Sequence, residues 1–258
     1  MERVGIIGAG KIGSSLIARL WEDFDLTVSD VYEEQLERLE RVYNIKTTLS
    51  NKEAAESSEL LVIAVKPWDV TQVLEEISPV VEGKVVVSVA AGVEIPTIGA
   101  RLPHGTAVLR VMPNVCAAVG LGTAVVAANE SGETYLPEVM SIFRRLGDVM
   151  ELPERHFDAA TALHGSGPAY VALFADALVQ AGVREGIPRD IASRLVAGTI
   201  AGTAVLLTER TSHQIRDEVT TPGGTTAAAL TAMENAGFVA AVYDGVEAAT
   251  EQARRLAK

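Results

Sequence analysis

The sequence feature that most constrains the fold is a glycine-rich turn between a strand pattern and a helix pattern near the N-terminus. Residues 3–7 form a short apolar run, residues 8–13 read Gly-Ala-Gly-Lys-Ile-Gly, and apolar residues then recur at helical spacing. In this order, the three elements place a dinucleotide pyrophosphate on the N-terminus of the helix. The chain is therefore predicted to begin with a Rossmann-type fold that binds a dinucleotide.

A carboxylate follows the second predicted strand at the distance typical of such folds. The strand covers residues 26–29, and Asp30 lies 22 residues after Gly8. An acidic residue near this distance accepts hydrogen bonds from the adenosine ribose. Residues 31–34 contain two glutamates and no Arg or Lys, so they oppose an added 2′-phosphate. This pattern predicts a preference for NADH over NADPH; the alternative is that Asp30 only caps the helix over residues 33–42.

Further apolar runs predict the central strands of a parallel sheet that is buried on both faces. They cover residues 60–65, 84–89, 107–112 and 122–127. Ligands of such sheets bind beyond the carboxyl ends of the strands, where this chain has small residues, prolines and polar residues. A helix over residues 137–146 and a break at Leu152-Pro153 predict the end of this domain.

Residues after this break have helical periodicity almost throughout. Helices are predicted around residues 170–186, 189–207, 212–219, 225–236 and 239–256. They are rich in Ala, Gly and Thr, and a small domain built from such residues buries few large side chains. The predicted fold class is α/β: a doubly wound Rossmann-type sheet over residues 1–152, then an all-α dimerisation and substrate domain over residues 153–258.

A second glycine motif opens one of the predicted C-terminal helices. Residues 222–226 read Pro-Gly-Gly-Thr-Thr. Glycines let a ligand approach bare backbone amides, and a helix N-terminus favours an anion. Threonine hydroxyls donate or accept hydrogen bonds. The motif predicts a site for a carboxylate or phosphate, with a simple helix start as the alternative.

Composition excludes several other classes of function. A net charge of −12 without a basic stripe argues against nucleic-acid binding. No apolar run is long enough for a membrane span. The single Cys116 excludes an internal disulfide and fits a cytoplasmic location. The four histidines and this cysteine lack metal-ligand spacing, so no metal is predicted. His164 has no neighbouring acid in sequence and is interpreted as structural.

On these motifs the chain resembles the pyrroline-5-carboxylate reductase family over nearly its whole length. The similarity is carried by residues 8–13, 51–53, 64–67, 90–92, 110–114, 165–170 and 222–226. The chain departs from the family pattern at Asp30, His164, Glu218 and residues 115–116. The resemblance implies reduction of a cyclic imine to L-proline by NAD(P)H, the last step of proline biosynthesis. It also implies a homodimer, alone or within a higher assembly.

The resemblance also implies roles for individual residues. Residues 8–12 hold the pyrophosphate, Asn51 lies on the adenosine side, and residues 65–67 with Ala91 border the nicotinamide. The complete predicted cofactor-binding set is Gly8, Ala9, Gly10, Lys11, Ile12, Gly13, Ser29, Asp30, Asn51, Ala64, Val65, Lys66, Pro67, Ala91 and Asn114. The predicted substrate-binding residues are Thr221, Gly223, Gly224, Thr225 and Thr226, with the Thr226 hydroxyl as the catalytic group.

Two kinds of protein remain as alternatives. A related imine or 3-hydroxyacid dehydrogenase shares the first domain, but a hydroxyacid enzyme needs a proton donor, usually a lysine on the first long helix of the second domain. Residues 167–187 contain no Lys. A non-catalytic NAD(P)-sensing protein has no use for the Gly-Gly-Thr-Thr helix start.

Overall fold

The computed structural model describes residues 1–256, which divide into two compact units. Residues 1–166 and 249–256 form the first unit, and residues 167–248 form the second. The predicted functional boundary at residues 152–153 directly follows the last strand of the sheet. The compact units divide later, after Ser166.

An eight-stranded sheet organises the first unit. Its strands are β1 (Arg3–Ile7), β2 (Asp25–Ser29), β3 (Lys46–Thr48), β4 (Leu60–Ile63), β5 (Val85–Ser88), β6 (Ala107–Pro113), β7 (Gly122–Ala128) and β8 (Gly147–Glu151). Their order is β3-β2-β1-β4-β5-β6-β7-β8, and only the β6–β7 pair is antiparallel. The prediction of a doubly wound Rossmann-type sheet is confirmed.

Hydrophobic cores lie on both faces of this sheet. Consecutive strand residues alternate between the two cores, as Ile6 and Ile7 do, and both are almost completely buried. Each such side chain contributes about 1.5–3 kcal/mol of transfer free energy. This double burial explains why the central strands are near-continuous apolar runs.

Helices cover the sheet on both sides. In this unit they are α1 (Lys11–Leu20), α2 (Glu33–Tyr43), α3 (Asn51–Glu56), α4 (Val70–Ile77), α5 (Ile95–Gly99), α6 (Leu136–Phe143), α7 (Phe157–Ala160) and the end of the last helix, over residues 249–256. A π-helical turn over residues 161–165 follows α7. Helices α1 and α4 bury one apolar stripe each, with Leu16 and Leu74 completely enclosed.

The second unit is built from helices only. They are α8 (Gly167–Arg184), α9 (Arg189–Leu206), α10 (Ser212–Val219), α11 (Thr225–Asn235) and the first part of α12 (Phe238–Leu256). All five helices predicted here are confirmed. Among its described residues only Val179 and Ala192 are buried apolar side chains. Large apolar side chains such as Leu173 and Tyr243, each 71% exposed, instead face outward from this unit.

Candidate functional site

The glycine turn between β1 and α1 has a backbone that only glycine fits. Gly8 has φ +99°, and a Cβ there would lie 2.8 Å from the Ala64 carbonyl carbon and oxygen. A Cβ on Gly13 would lie 2.0 Å from the Gly8 carbonyl oxygen. The Gly8 N–H donates to the Ser29 carbonyl at 2.8 Å. The turn is therefore packed closely between the ends of β2 and β4.

Gly10 is different because it faces open space. A Cβ at this position would meet no atom within 4 Å. Gly10 is the N-cap of α1 and provides no side-chain cap for the first amides of the helix. These amides lack intrahelical partners and carry the positive end of the helix dipole. The predicted residues Gly10, Lys11 and Ile12 thus form a cradle that fits a pyrophosphate.

The Asp30 carboxylate lies directly beside this turn. Its Oδ2 accepts the Ala9 N–H at 2.6 Å, and its Oδ1 accepts the Tyr32 N–H at 3.0 Å. The N-cap of α2 is Tyr32, whose own side chain does not cap the helix. Asp30 therefore does more than cap α2, because it also binds the glycine turn. Since a carboxylate accepts about four hydrogen bonds, Asp30 retains capacity for ribose hydroxyls.

A cavity of about 640 Å³ adjoins Asp30 and is lined by two cationic side chains, of which the sequence predicted Lys11 as a cofactor-binding residue but not Arg38. Lys11 and Arg38 both line it, together with Gln35 and Tyr43. Residues 31–34 contain no Arg or Lys, but the prediction that no such residue lies near Asp30 is wrong in three dimensions, because Lys11 and Arg38 line the same cavity. Arg38 lies three positions after Gln35 on α2, so both side chains share one helix face and line the same cavity.

A hydrogen-bonded chain continues from β2 through Asn51. The Ser29 hydroxyl, fully buried, donates to Asn51 Oδ1 at 2.8 Å. Asn51 Nδ2 donates to Glu76 Oε2 on α4 at 2.7 Å. The structure thus brings Asn51 to the end of β2, and it adds Glu76, which sequence reasoning missed.

The ends of β4 and β5 lie side by side because Ile63 pairs with Ser88. Ala64, Val65 and Ala91 are half-buried just beyond these strands. Lys66 is exposed, and Pro67 opens a single helical turn over residues 67–69. Small apolar groups and one exposed ammonium thus border the predicted nicotinamide position.

Asn114, at the end of β6, has a side chain that is fully used by the protein. Its Oδ1 accepts the N–H groups of Cys116 and Thr123, each at 3.2 Å. Its Nδ2 donates to Thr123 Oγ1 and to the His164 carbonyl, each at 3.1 Å. All four hydrogen-bonding positions of the amide are occupied, so none is left over for a cofactor.

His164 is also held by backbone groups. Its Nδ1 lies 2.5 Å from the Ala160 carbonyl oxygen, and its Nε2 lies 2.9 Å from the Met112 carbonyl oxygen. The imidazole thus ties the π-helical turn to β6. This geometry agrees with the structural interpretation of His164.

Arg110 of β6 is a buried charged residue with only 2% of its surface exposed, which the apolar pattern of the strand did not predict. Its Nη1 lies 3.0 Å from Glu154 Oε1, which also accepts the Ile95 N–H at 2.8 Å. Its guanidinium lies 4.9 Å from the centre of the Phe157 ring. These contacts attach α5 and α7 to β6 and give Arg110 a structural role.

In the second unit, a turn over residues 221–224 precedes α11. Gly224 N–H donates to the Thr221 carbonyl at 3.0 Å, and Gly223 has φ +68°. Pro and Gly at the two central positions are typical of a type II turn. A Cβ on Gly224 would lie 2.4 Å from Thr221 Oγ1 and 3.1 Å from the Thr221 carbonyl oxygen, so a larger residue here would require Thr221 to shift.

Thr225 and Thr226 occupy the first turn of α11, behind the N-cap Gly224, which has no side chain to cap the helix. Within residues 1–256, no hydrogen bond occupies the Thr226 hydroxyl. It differs from Thr231 further along, whose hydroxyl donates to the Ala227 carbonyl at 3.0 Å. Bare amides and a free hydroxyl therefore lie together at the start of α11.

The described residues contain neither a candidate metal site nor a candidate membrane span. Across residues 1–256, no three His, Cys, Asp or Glu side chains are grouped so as to hold a metal ion. None of the helices in this range combines the length and apolar character that crossing a bilayer requires.

Family models match both parts of the chain. Residues 154–256 match the model for pyrroline-5-carboxylate reductase dimerisation. Residues 3–92 match the model for NADP oxidoreductase, coenzyme F420-dependent.

Individual relatives match over the whole length. A pyrroline-5-carboxylate reductase from a Synechocystis species is 38% identical and covers 99% of this chain and 98% of that protein. The solved reductase from Coxiella burnetii has a TM-score of 0.93 at 30% identity, covering 99% of this chain and 98% of that one. The Plasmodium falciparum pyrroline carboxylate reductase, solved with NADP bound, has a TM-score of 0.87 at 30% identity, covering 100% and 98%.

Proposed function

The chain belongs to the pyrroline-5-carboxylate reductase family, and we propose how its two glycine-rich sites catalyse the reduction of pyrroline-5-carboxylate to L-proline. The observation that carries the proposal is the pair of helix starts, at Gly10 and Gly224, whose N-cap residues have no side chains to cap them. One suits a pyrophosphate and the other suits a carboxylate.

The main task of the protein in this reaction is to position the nicotinamide and the imine next to each other. A reduced nicotinamide supplies hydride to the imine carbon, while the ring nitrogen ends as an amine. The amides of α1 and the carboxylate of Asp30 would hold the cofactor, and the small residues Ala64, Val65 and Ala91 would allow the two rings to approach. A protonated imine is already electrophilic, so orientation and exclusion of water provide most of the rate.

The Thr221–Thr226 segment would bind the substrate. The amides at the start of α11 would fix its carboxylate, as a helix N-terminus favours anions. The Thr226 hydroxyl would hydrogen-bond the ring nitrogen as it becomes an amine. Thr226 is proposed as the catalytic residue because its hydroxyl is not bonded within the described residues.

Thr226→Ala is expected to lower kcat about tenfold or more, because a hydrogen bond to a charged group contributes about 1.5–3 kcal/mol. Steady-state kinetics with both substrates saturating measures this. Thr231→Ala on the same helix is the matched control and should leave kcat unchanged, since its hydroxyl only bonds the helix backbone. An unaltered kcat in folded Thr226→Ala protein would show that Thr226 only starts the helix and does not contribute to catalysis.

We propose that the protein prefers NADH to NADPH. The Asp30 carboxylate lies at the end of β2 beside the glycine turn, where it would accept ribose hydroxyls and repel a 2′-phosphate. Asp30→Ser is expected to shift the ratio of kcat/KM toward NADPH by about tenfold or more. The physical reason is that this change leaves Lys11 and Arg38 as cations in a cavity that has lost its carboxylate.

Kinetics with each cofactor measure this ratio. Glu22→Ser, at the far end of α1, removes the same charge and should not change the ratio. Equal kcat/KM for the two cofactors in the unsubstituted chain would show that Asp30 does not select between them.

We propose that residues 1–152 bind the cofactor and that residues 153–258 form a homodimer and bind the substrate. The match to a dimerisation family supports this assignment. So do the exposed apolar side chains of the second unit, including Leu173, Val205 and Tyr243. Light scattering at assay concentration should give the mass of a dimer or of a multiple of it.

We also propose a cytoplasmic location, which rests on the single Cys116 and the family's biosynthetic role. Cell fractionation followed by immunodetection tests it. Recovery in a secreted fraction would contradict it.

The reaction itself is tested by mixing the purified chain with pyrroline-5-carboxylate and NADH or NADPH. We expect loss of reduced-cofactor absorbance that requires the imine and yields proline. No imine-dependent oxidation of either cofactor, by protein that binds both ligands, would refute the proposal.

A further inference from the structure

We infer that Glu76 is a positioning residue that sets the selectivity of the adenosine site, acting through the side chain of Asn51. The inference rests on the proposed function, since it requires an adenosine ribose at the end of β2. It goes beyond that proposal because Glu76 lies on α4, far from every glycine motif in the sequence.

The Glu76 carboxylate is held by hydrogen bonds at both of its oxygens. Oε2 accepts from Asn51 Nδ2 at 2.7 Å, and Oε1 accepts from Gln72 Nε2 at 2.9 Å. Gln72 lies one helical turn earlier on α4. Hydrogen bonds to ionised groups are shorter and stronger than those between neutral groups. Glu76 is therefore oriented although it is exposed.

This carboxylate determines which way the Asn51 amide points. An ionised carboxylate only accepts hydrogen bonds, so the NH₂ group of Asn51 must face it. The amide oxygen then faces the Ser29 hydroxyl, which donates to it at 2.8 Å. Ser29 is fully buried and directly precedes Asp30, so the orientation is transmitted to the end of β2.

The consequence is more negative charge and one fewer free donor beside Asn51, although Lys11 and Arg38 remain as cations in the cavity next to Asp30. The Asn51 amide donates one N–H to Glu76, and the carboxylates of Asp30 and Glu76 add two negative charges at this edge of the sheet. Ribose hydroxyls are donors and suit such a surface. A 2′-phosphate is acceptor-only and anionic, so it is opposed by charge and by the use of one of the two Asn51 N–H donors for Glu76.

The test measures nucleotide binding without turnover. Calorimetry gives the Kd of ADP-ribose and of 2′-phospho-ADP-ribose for the unsubstituted chain, Glu76→Ala, Glu76→Gln and the control Glu75→Gln. Glu75 is the exposed neighbour on α4 and has no hydrogen bond to Asn51. Unfolding temperatures check that each variant is folded.

Glu76→Ala should shift the ratio of the two Kd values toward the phosphorylated nucleotide by at least about fivefold. Glu76→Gln should shift it less, because a Gln oxygen can still accept from Asn51. Glu75→Gln should leave it nearly unchanged. In an Asn51→Ala background, Glu76→Ala should add little, as expected for two residues that act as one unit.

The outcomes separate this inference from the proposed function. If the unsubstituted chain binds ADP-ribose but the Glu76 variants match Glu75→Gln, the role of Glu76 is refuted and the proposed function stands. An effect of Glu76→Ala that persists in full without Asn51 also refutes it. If the chain binds neither nucleotide, both proposals fail.

Discussion

Gly10→Asp is expected to weaken NADH binding at least about 100-fold while leaving the fold intact. The new carboxylate would occupy the open space in front of α1, where the pyrophosphate is proposed to lie. Hydrogen bonds to charged groups contribute about 1.5–3 kcal/mol each, and about 2.7 kcal/mol is a factor of 100. Repulsion between the two anions adds to this loss.

Stability should not fall, for two structural reasons. No atom lies within 4 Å of the position of a new Cβ, and Gly10 has an ordinary φ of −66° as the N-cap of α1. Asp is also among the preferred N-cap residues. The loss of binding is thus separable from misfolding.

Fluorescence or calorimetric titration with NADH measures the effect, and thermal unfolding checks the fold. Gly99→Asp is the matched control, since Gly99 also faces open space and lies at the end of α5. Gly10→Asp protein that binds NADH as tightly as Gly99→Asp would show that the turn does not hold the pyrophosphate.

Mixed dimers are expected to regain activity that neither parent has. One parent carries Gly10→Asp and keeps its Thr221–Thr226 segment, and the other carries Thr226→Ala and keeps its cofactor turn. We expect the active site to combine the cofactor turn of one chain with the Thr221–Thr226 segment of the other, as the family resemblance implies.

The expected size of the effect follows from counting. Random refolding of an equal mixture makes about half of the dimers hybrid, and one of the two sites in each hybrid is intact. The mixture should therefore reach about a quarter of the unsubstituted activity. This exceeds the mean of the two parents, which is about 5% or less if Thr226→Ala loses tenfold or more.

The control mixture pairs Gly10→Asp with the double variant Gly10→Asp/Thr226→Ala, whose hybrids contain no intact site. Differently tagged chains and mass spectrometry confirm that hybrids form. If mixing is complete and the activity stays at the mean of the parents, the whole site lies within one chain.

The central strands could be predicted from the sequence because they are buried on both faces. Residues 60–63 and 85–88 are uninterrupted apolar runs apart from Ser88, and no helix pattern competes with them. The edge strands β3 and β8 could not be predicted because they lack this burial. β3 is three polar residues long, and β8 buries only Val149, so neither carries a hydrophobic pattern.

The candidate site could be predicted where its residues adjoin a motif along the chain. The glycine turn and Asp30 are of this kind, and the structure places them in contact. Arg38 and Glu76 could not be found this way, because α2 and α4 bring them to the site from other parts of the sequence. Asn114 was predicted to bind the cofactor because it lies in a family motif. In the structure its side chain is instead hydrogen-bonded to Thr123 and His164, which the motif alone does not reveal.

The most direct test of the central claim uses NADH or NADPH carrying deuterium at the transferable position of nicotinamide C4. The chain is incubated with pyrroline-5-carboxylate, and the product is examined by mass spectrometry. We expect L-proline with one deuterium on the former imine carbon, and no such product from Gly10→Asp protein. Proline without deuterium, or no proline from folded protein with both substrates present, would contradict this claim.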